Sequence, residues 1–213
     1  MRNPIKPTFI APTSPASTRY RATRFLSSAD TLSGLPPDTG REVAFAGRSN
    51  AGKSSALNLL AGQRGLARIS KTPGRTQLLN VFEVATARYL VDLPGYGYAQ
   101  VPEATRRHWQ VLVGQYLRER TALHGLLLLV DVRHLLTVLD RQLLAYRAAR
   151  GLAAHILLTK ADKLSRGQAT TALRQLQATL QSDFPGVSAQ LFSGLSGEGA
   201  DQARAQLDDW LGY

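Results

Sequence analysis

The sequence contains no cysteine, so neither a disulfide nor a thiolate metal site is open to it. That suits a reducing compartment, and the expected location is the cytoplasm. A long apolar run is also missing. The longest, residues 126–130, falls far short of the roughly 20 residues a membrane-spanning helix needs. The basic N-terminal segment is not followed by an apolar stretch, so no signal peptide is expected. Acidic residues are the scarce charge, at 15 against 26 Lys and Arg, for a net charge of +11. The shortage is uneven. Residues 1–110 hold fifteen basic and six acidic residues, whereas residues 164–213 hold three and five. A basic front and an acidic rear point to a polyanion on one side of the molecule, either nucleic acid or a membrane surface. No internal repeat is visible.

What is present begins with Gly47-Arg48-Ser49-Asn50-Ala51-Gly52-Lys53-Ser54, which fits G-x-x-x-x-G-K-[ST]. An alternating, strand-like run precedes it. Ser55 opens a helical stretch after it, with Gly62 as the stop. Strand, glycine loop and helix form the setting a phosphate-binding loop requires. Such a loop points successive N–H groups at a phosphate, and the helix N-terminus adds partial positive charge. Lys53 can reach the terminal phosphates, and the Ser54 hydroxyl can ligate Mg²⁺.

Before this motif, residues 1–20 carry four prolines and read as extended or disordered. Arg19, Arg21 and Arg24 make a basic arm that Phe25 and Leu26 could anchor. The expected division is a flexible arm over 1–23 and a single domain over 24–213. After the first helix, residues 63–77 hold Arg64, Arg68, Lys71 and Arg75 and no acid, where a nucleotide switch would sit. Two strands follow over 78–86 and 88–91, the second running into Asp92-Leu93-Pro94-Gly95. Helices are expected over 103–120, 137–150, 165–181 and 198–211, alternating with apolar strands at 125–130, 153–158 and 187–192. The Trp109, Leu112, Val113 and Tyr116 stripe reads as core packing. The expectation is an α/β fold with a mostly parallel six-stranded sheet and helices on both faces.

Polar residues recur at strand ends, where ligands of open α/β sheets gather. They are Lys53-Ser54, Asp92, Lys160 with Asp162, and Ser193. Their order and spacing resemble the G domain of P-loop GTPases. The longer motifs narrow this. Gly47 to Ser55, Lys71-Thr72-Pro73-Gly74-Arg75-Thr76-Gln77, Asp92-Leu93-Pro94-Gly95-Tyr96-Gly97-Tyr98-Ala99 and Thr159-Lys160-Ala161-Asp162 resemble the bacterial EngB/YihA (YsxC) GTPases. The resemblance covers residues 24–211. It implies binding of GTP and GDP with Mg²⁺, a role in assembling the large ribosomal subunit from its precursor of rRNA and ribosomal proteins, and a requirement in cell division. A monomer is expected.

Carried over, the nucleotide contacts fall on Gly47 through Ser55, on Gly74, Arg75 and Thr76, on Asp92, Leu93, Pro94 and Gly95, on Thr159, Lys160, Ala161 and Asp162, and on Phe192, Ser193 and Gly194. Ser54 and Thr76 would ligate Mg²⁺ directly, with Thr72 as the alternative, and Asp92 through water. The Gly95 N–H would meet the γ-phosphate. Asp162 would accept hydrogen bonds from the guanine edge, and Lys160 would lie over the base. Asn50 matches the loop Asn with which potassium-stimulated relatives ligate K⁺. Asn50, Thr76 and Gly95 are the catalytic candidates. Tyr96 stands where many GTPases carry a water-orienting Gln, which implies slow hydrolysis. The sequence departs from the pattern at Ser193-Gly194 and at His134-Leu135-Leu136. A P-loop ATP-dependent kinase or ATPase and a membrane-surface G protein are the rival readings. Thr159-Lys160-Ala161-Asp162 speaks against the first, and the lack of a lipidation cysteine against the second.

Overall fold

The computed structural model describes residues 15–67, 78–97 and 103–213, and their side chains apart from 15–17 and 104–106. One seven-stranded sheet runs through it. Its strands are β1 (Arg24–Ala29), β2 (Arg41–Gly47), β3 (Leu79–Ala85), β4 (Arg88–Asp92), β5 (Leu123–Asp131), β6 (Ala153–Thr159) and β7 (Val187–Leu191), in the order β1-β3-β4-β2-β5-β6-β7. The pairs β4–β2, β2–β5, β5–β6 and β6–β7 are parallel, while β1–β3 and β3–β4 are antiparallel.

Helices α1 (Pro15–Tyr20), α2 (Lys53–Leu60), α3 (Glu103–Glu119), α4 (Val138–Ala148), α5 (Arg166–Asp183) and α6 (Ala200–Leu211) complete the fold. Strand β5 explains the two layers. Its residues alternate between faces, so Leu126, Leu128 and Val130 join one core with Val113, Leu143 and Leu176 from α3, α4 and α5. Leu127 and Leu129 join the other with Tyr20, Leu57 and Leu207 from α1, α2 and α6. Both faces being covered, the central strand is apolar from Gly125 to Val130.

Two expectations need correction. The sheet has seven strands, not six, because residues 24–29, where no strand was expected, form an antiparallel edge strand. Phe25 of this strand sits edge-on against Phe82 at 5.8 Å. The chain is also not extended up to residue 20. Helix α1 packs on α6, with Tyr20 fully buried and its hydroxyl donating to Asp208 Oδ1 at 2.8 Å. Gln63 Nε2 then ties the following turn by donating to the carbonyls of Arg21 and Thr23. The packed body therefore begins before residue 24. Residues 1–14 of the arm lie outside the described residues.

The basic residues have their own structural logic. Helix C-termini leave carbonyls without partners. Here buried or half-buried arginines donate to them. Arg204 reaches Leu60 O at 3.1 Å and Leu59 O at 2.8 Å at the end of α2. Arg41 and Arg88 reach Trp210 O and Leu211 O at the end of α6. Arg150 reaches Arg120 O after α3. Arg120 in turn pairs with the fully buried Glu42, whose carboxylate also accepts from the Tyr116 hydroxyl.

Candidate functional site

The site lies at the C-terminal edge of the parallel strands. Strand β2 delivers the glycine loop and α2 receives it. Gly52 precedes the helix with φ of 93°, a left-handed conformation that glycine adopts without strain. Gly47 is fixed by packing, since a Cβ there would come within 2.8 Å of Leu129 O on β5. Asn50 is exposed and also left-handed, at φ 62°, which Asn tolerates better than most residues. Ser54 and Ser55, in the first turn of α2, are half-buried.

Asp92 ends β4 opposite Phe45 of β2, which brings it to the mouth of the glycine loop. Its Oδ1 pairs directly with Lys53 Nζ, and both side chains are largely buried. The cation that would meet a phosphate and the anion that would meet a metal thus hold each other. A metal–nucleotide complex offers each of them an exchange of partner, so the donor set fits such a ligand. No group of three or more His, Asp or Glu that could hold a metal exists among the described residues.

The segment after Asp92 is clamped. Leu93 N donates to Phe45 O at 2.9 Å. Trp109 Nε1 donates to Pro94 O at 2.8 Å. Ser49 N donates to Tyr96 O at 2.7 Å. Between these anchors, the nearest atoms to a Cβ built on Gly95 belong to Ser49 and Gly47, at 3.6 Å or more. Protein packing alone does not demand glycine there. Close approach of a ligand to its N–H would.

The base-side residues come from β6 and β7. Thr159 Oγ1 donates to Ala51 O at 2.6 Å, and Val130 O is 3.1 Å away. The residue standing where most GTPases have Asn therefore fastens the glycine loop to the sheet. Lys160, at φ 60°, places its ammonium 2.9 Å from Asp131 Oδ2. Asp131 also accepts from Arg133. Burial raises its pKa, but those hydrogen bonds outweigh it and hold the carboxyl well below its usual range. Ser193 Oγ donates to Asp162 Oδ1 at 2.6 Å while accepting from the backbone N–H of Leu195 and Ser196. The departure at Ser193-Gly194 thus leaves the serine hydroxyl aimed at Asp162. A Cβ on Gly194 would touch Ser55 at 3.3 Å, so this loop sits close over the start of α2.

The structure brings together the glycine loop, Asp92, Gly95, Thr159, Lys160, Asp162, Ser193 and Gly194. Ala51, Leu93, Pro94, Ala161 and Phe192 are buried, so they line the site through backbone rather than side chain. Gly74, Arg75 and Thr76, with the alternative Thr72, lie outside the described residues, as does most of 63–78. Sequence reasoning overlooked Asp131 and Asp140. Asp131 ends a strand, and Asp140 stands three residues after a helix-capping Thr137. Those were the available signals. It read Trp109 as core. Trp109 is core, and its indole also holds Pro94.

The family described as "50S ribosome-binding GTPase" matches residues 42–160. A probable GTP-binding protein EngB of Nitrosococcus oceani is 55% identical over 193 residues, covering 91% of this chain and 96% of that protein. The Escherichia coli protein of the same name is 51% identical over 192 residues, covering 90% and 91%. Among solved structures, a probable GTP-binding protein engB aligns with a TM-score of 0.64 at 19% identity, covering 80% of this chain and 98% of that one. Era in complex with MgGDPNP and a 16S ribosomal RNA segment aligns at 0.62 and 20% identity, covering 81% and 57%. These two structures share the fold.

Proposed function

The chain belongs to the EngB family of GTP-binding P-loop GTPases, and from there we propose that it is a slow, Mg²⁺-dependent GTP switch acting on the large ribosomal subunit precursor. In this reading it serves subunit assembly in the cytoplasm as a monomer and is needed for normal cell division. The observation that carries it is the convergence at one sheet edge of a lysine–carboxylate pair at the glycine loop and an oriented Asp162 on the base side.

Lys53 would meet the phosphates. Ser54, Asp92 through water, and Thr76 would hold Mg²⁺, which when bound neutralises charge on the phosphates. Asn50 is the candidate for a K⁺ in the same region, and Gly95 would sense the γ-phosphate. Slow hydrolysis follows from Tyr96. Its ring is buried against Trp109 at 5.2 Å between centroids, and its hydroxyl is engaged by Asp140. The ribosomal partner is supported by the name of the matching family and by the basic segment 63–78.

The test is sucrose-gradient sedimentation with ribosomal particles in the presence of GTP analogue, GDP or no nucleotide. Binding to large-subunit precursors should be strongest with the analogue and weaken steeply with salt. Replacing Arg64, Arg68 and Arg75 by Ala should weaken it while sparing GTP binding. Equal sedimentation in all three nucleotide states overturns the switch, and co-sedimentation with liposomes instead overturns the partner.

A further inference from the structure

Tyr96 follows Gly95 directly in the chain. It is 4% exposed, and its phenol donates to Asp140 Oδ1. Asp140 is itself 2% exposed. Its other oxygen accepts from Thr137 N at 2.7 Å and Thr137 Oγ1 at 2.6 Å, capping α4. A buried carboxylate is thus fully satisfied by one helix cap and one tyrosine. Burial, with the nearby Asp140 charge, raises the Tyr96 pKa well above normal, so the phenol stays a donor. On its backbone side the same residue accepts from Ser49 N of the glycine loop and bridges to Arg48. Tyr96 therefore joins three elements: the glycine loop, the segment starting at Asp92, and the first turn of α4. Gly95 is the residue before it.

We propose that the Tyr96–Asp140 hydrogen bond is a positioning contact for Gly95, setting how strongly the protein distinguishes GTP from GDP. This rests on the reading of Gly95 as γ-phosphate sensor. The phenol does not touch nucleotide. It fixes the peptide whose N–H does, so its loss falls on the triphosphate state and leaves the shared α- and β-phosphate contacts intact. The aspartate supplies the fixed point because its second oxygen locks it to the α4 cap. In place of a glutamine acting on water, this chain carries a side chain that organises the sensor.

Tyr96→Phe removes one oxygen and keeps the ring on Trp109. Affinities of the full chain for GDP and for a non-hydrolysable GTP analogue, measured by calorimetry with Mg²⁺, provide the readout. A charge-assisted hydrogen bond is among the stronger ones. The analogue should bind about tenfold more weakly, with GDP within about twofold, a ratio change of about 1.4 kcal/mol. Asp140→Asn keeps an acceptor oxygen but cannot serve phenol and cap together, so it should shift the ratio the same way. The double variant should be no worse than Tyr96→Phe, because both remove one interaction. Gly95→Ala separates the two claims. If it weakens the analogue and Tyr96→Phe leaves the ratio unchanged, Tyr96 is packing only and the proposal falls. If neither changes the ratio, the Gly95 reading falls with it. A thermal melt of each variant checks folding. If Tyr96→Phe weakens both nucleotides equally, its role is general stability and the proposal is overturned.

Discussion

Asp162→Asn offers the sharpest test of the base side. The Ser193 hydroxyl accepts from two backbone N–H groups, so its own proton is directed to Asp162 Oδ1. The carboxylate is therefore held in one orientation, and its other oxygen, 3.5 Å from the half-exposed Lys163 ammonium, can accept from a ligand that presents two adjacent donors. Guanine does so with N1–H and the 2-amino group. Adenine offers an acceptor at N1 and lacks that amino group. In the Asn variant one acceptor oxygen becomes a donor. If the amide oxygen stays on Ser193, its NH₂ faces the base donors. If it turns, its NH₂ faces the serine proton. Two hydrogen bonds to a charged group, each worth about 1.5–3 kcal/mol, are disrupted. That amounts to roughly 3–6 kcal/mol, or about 10²–10⁴-fold in guanine nucleotide affinity. Xanthine carries a carbonyl where guanine has the amino group and should recover part of the loss. Ser193→Ala keeps the carboxylate but removes its orienting donor and the acceptor of the Leu195 and Ser196 N–H groups, and should cost about tenfold. Competition of GTP, ATP and XTP against a fluorescent guanine nucleotide measures all of this. Wild-type protein binding ATP as tightly as GTP, or an Asn variant within about twofold of wild type, would refute the assignment of Asp162 to the base.

Two further outcomes concern stability. Arg204→Met takes the guanidinium away from both carbonyls at the end of α2; Leu59 O keeps the Gly62 N–H, while the buried Leu60 carbonyl loses its arginine donor. It should cost about 2–4 kcal/mol, lowering the melting temperature by roughly 4–16 °C. Unchanged melting would mean those carbonyls find other partners. His155 is buried between Ser188 and Gln190, and burial lowers its pKa from 6.5 despite the Gln190 contact. The unfolded chain therefore takes up the proton first as pH falls. Stability should be full above about pH 6.5 and decline below it, toward the lowered folded pKa. In His155→Gln the part of the decline due to this group should vanish in urea titrations at pH 7.5 and 5.5.

Much of the fold was legible because both faces of the sheet are covered. Strands β5 and β6 are buried on both sides and read as mainly apolar runs, interrupted in β6 by His155, and the amphipathic helices between them keep period 3.6. Strand β1 was illegible for the opposite reason. Only Ala29 of its six residues is buried, and it is defined by pairing with β3, some fifty residues later. An edge strand shows little periodicity, so nothing local marked Arg24–Ala29, at the start of the expected domain, as a strand. The site divided along the same line. Lys53, Asp92 and Asp162 announce themselves by spacing. The partnership of Asp131 with Lys160 depends on β5 and β6 lying in register, with Asp131 opposite Thr159. The partnership of Tyr96 with Asp140 depends on α4 packing beside the glycine loop.

Composition was the least reliable guide. A net charge of +11 suggests a broad cationic surface, yet many arginines here do internal structural tasks. Arg41, Arg88, Arg147, Arg150 and Arg204 donate to backbone carbonyls, and Arg120 neutralises a buried glutamate. An arginine can serve there because its planar fork reaches two acceptors at once and its charge never titrates away. A guanidinium fixed on a helix terminus still adds to the long-range field, but it cannot bond a phosphate without releasing its carbonyls. Counterion release counts phosphate contacts, not net charge. The salt dependence of particle binding should therefore reflect only exposed cations, such as Arg21, Arg48 and Arg64. A slope equivalent to a few contacts fits this arrangement. A slope approaching the whole net charge would mean that the helix-terminal arginines detach from their carbonyls when the protein docks.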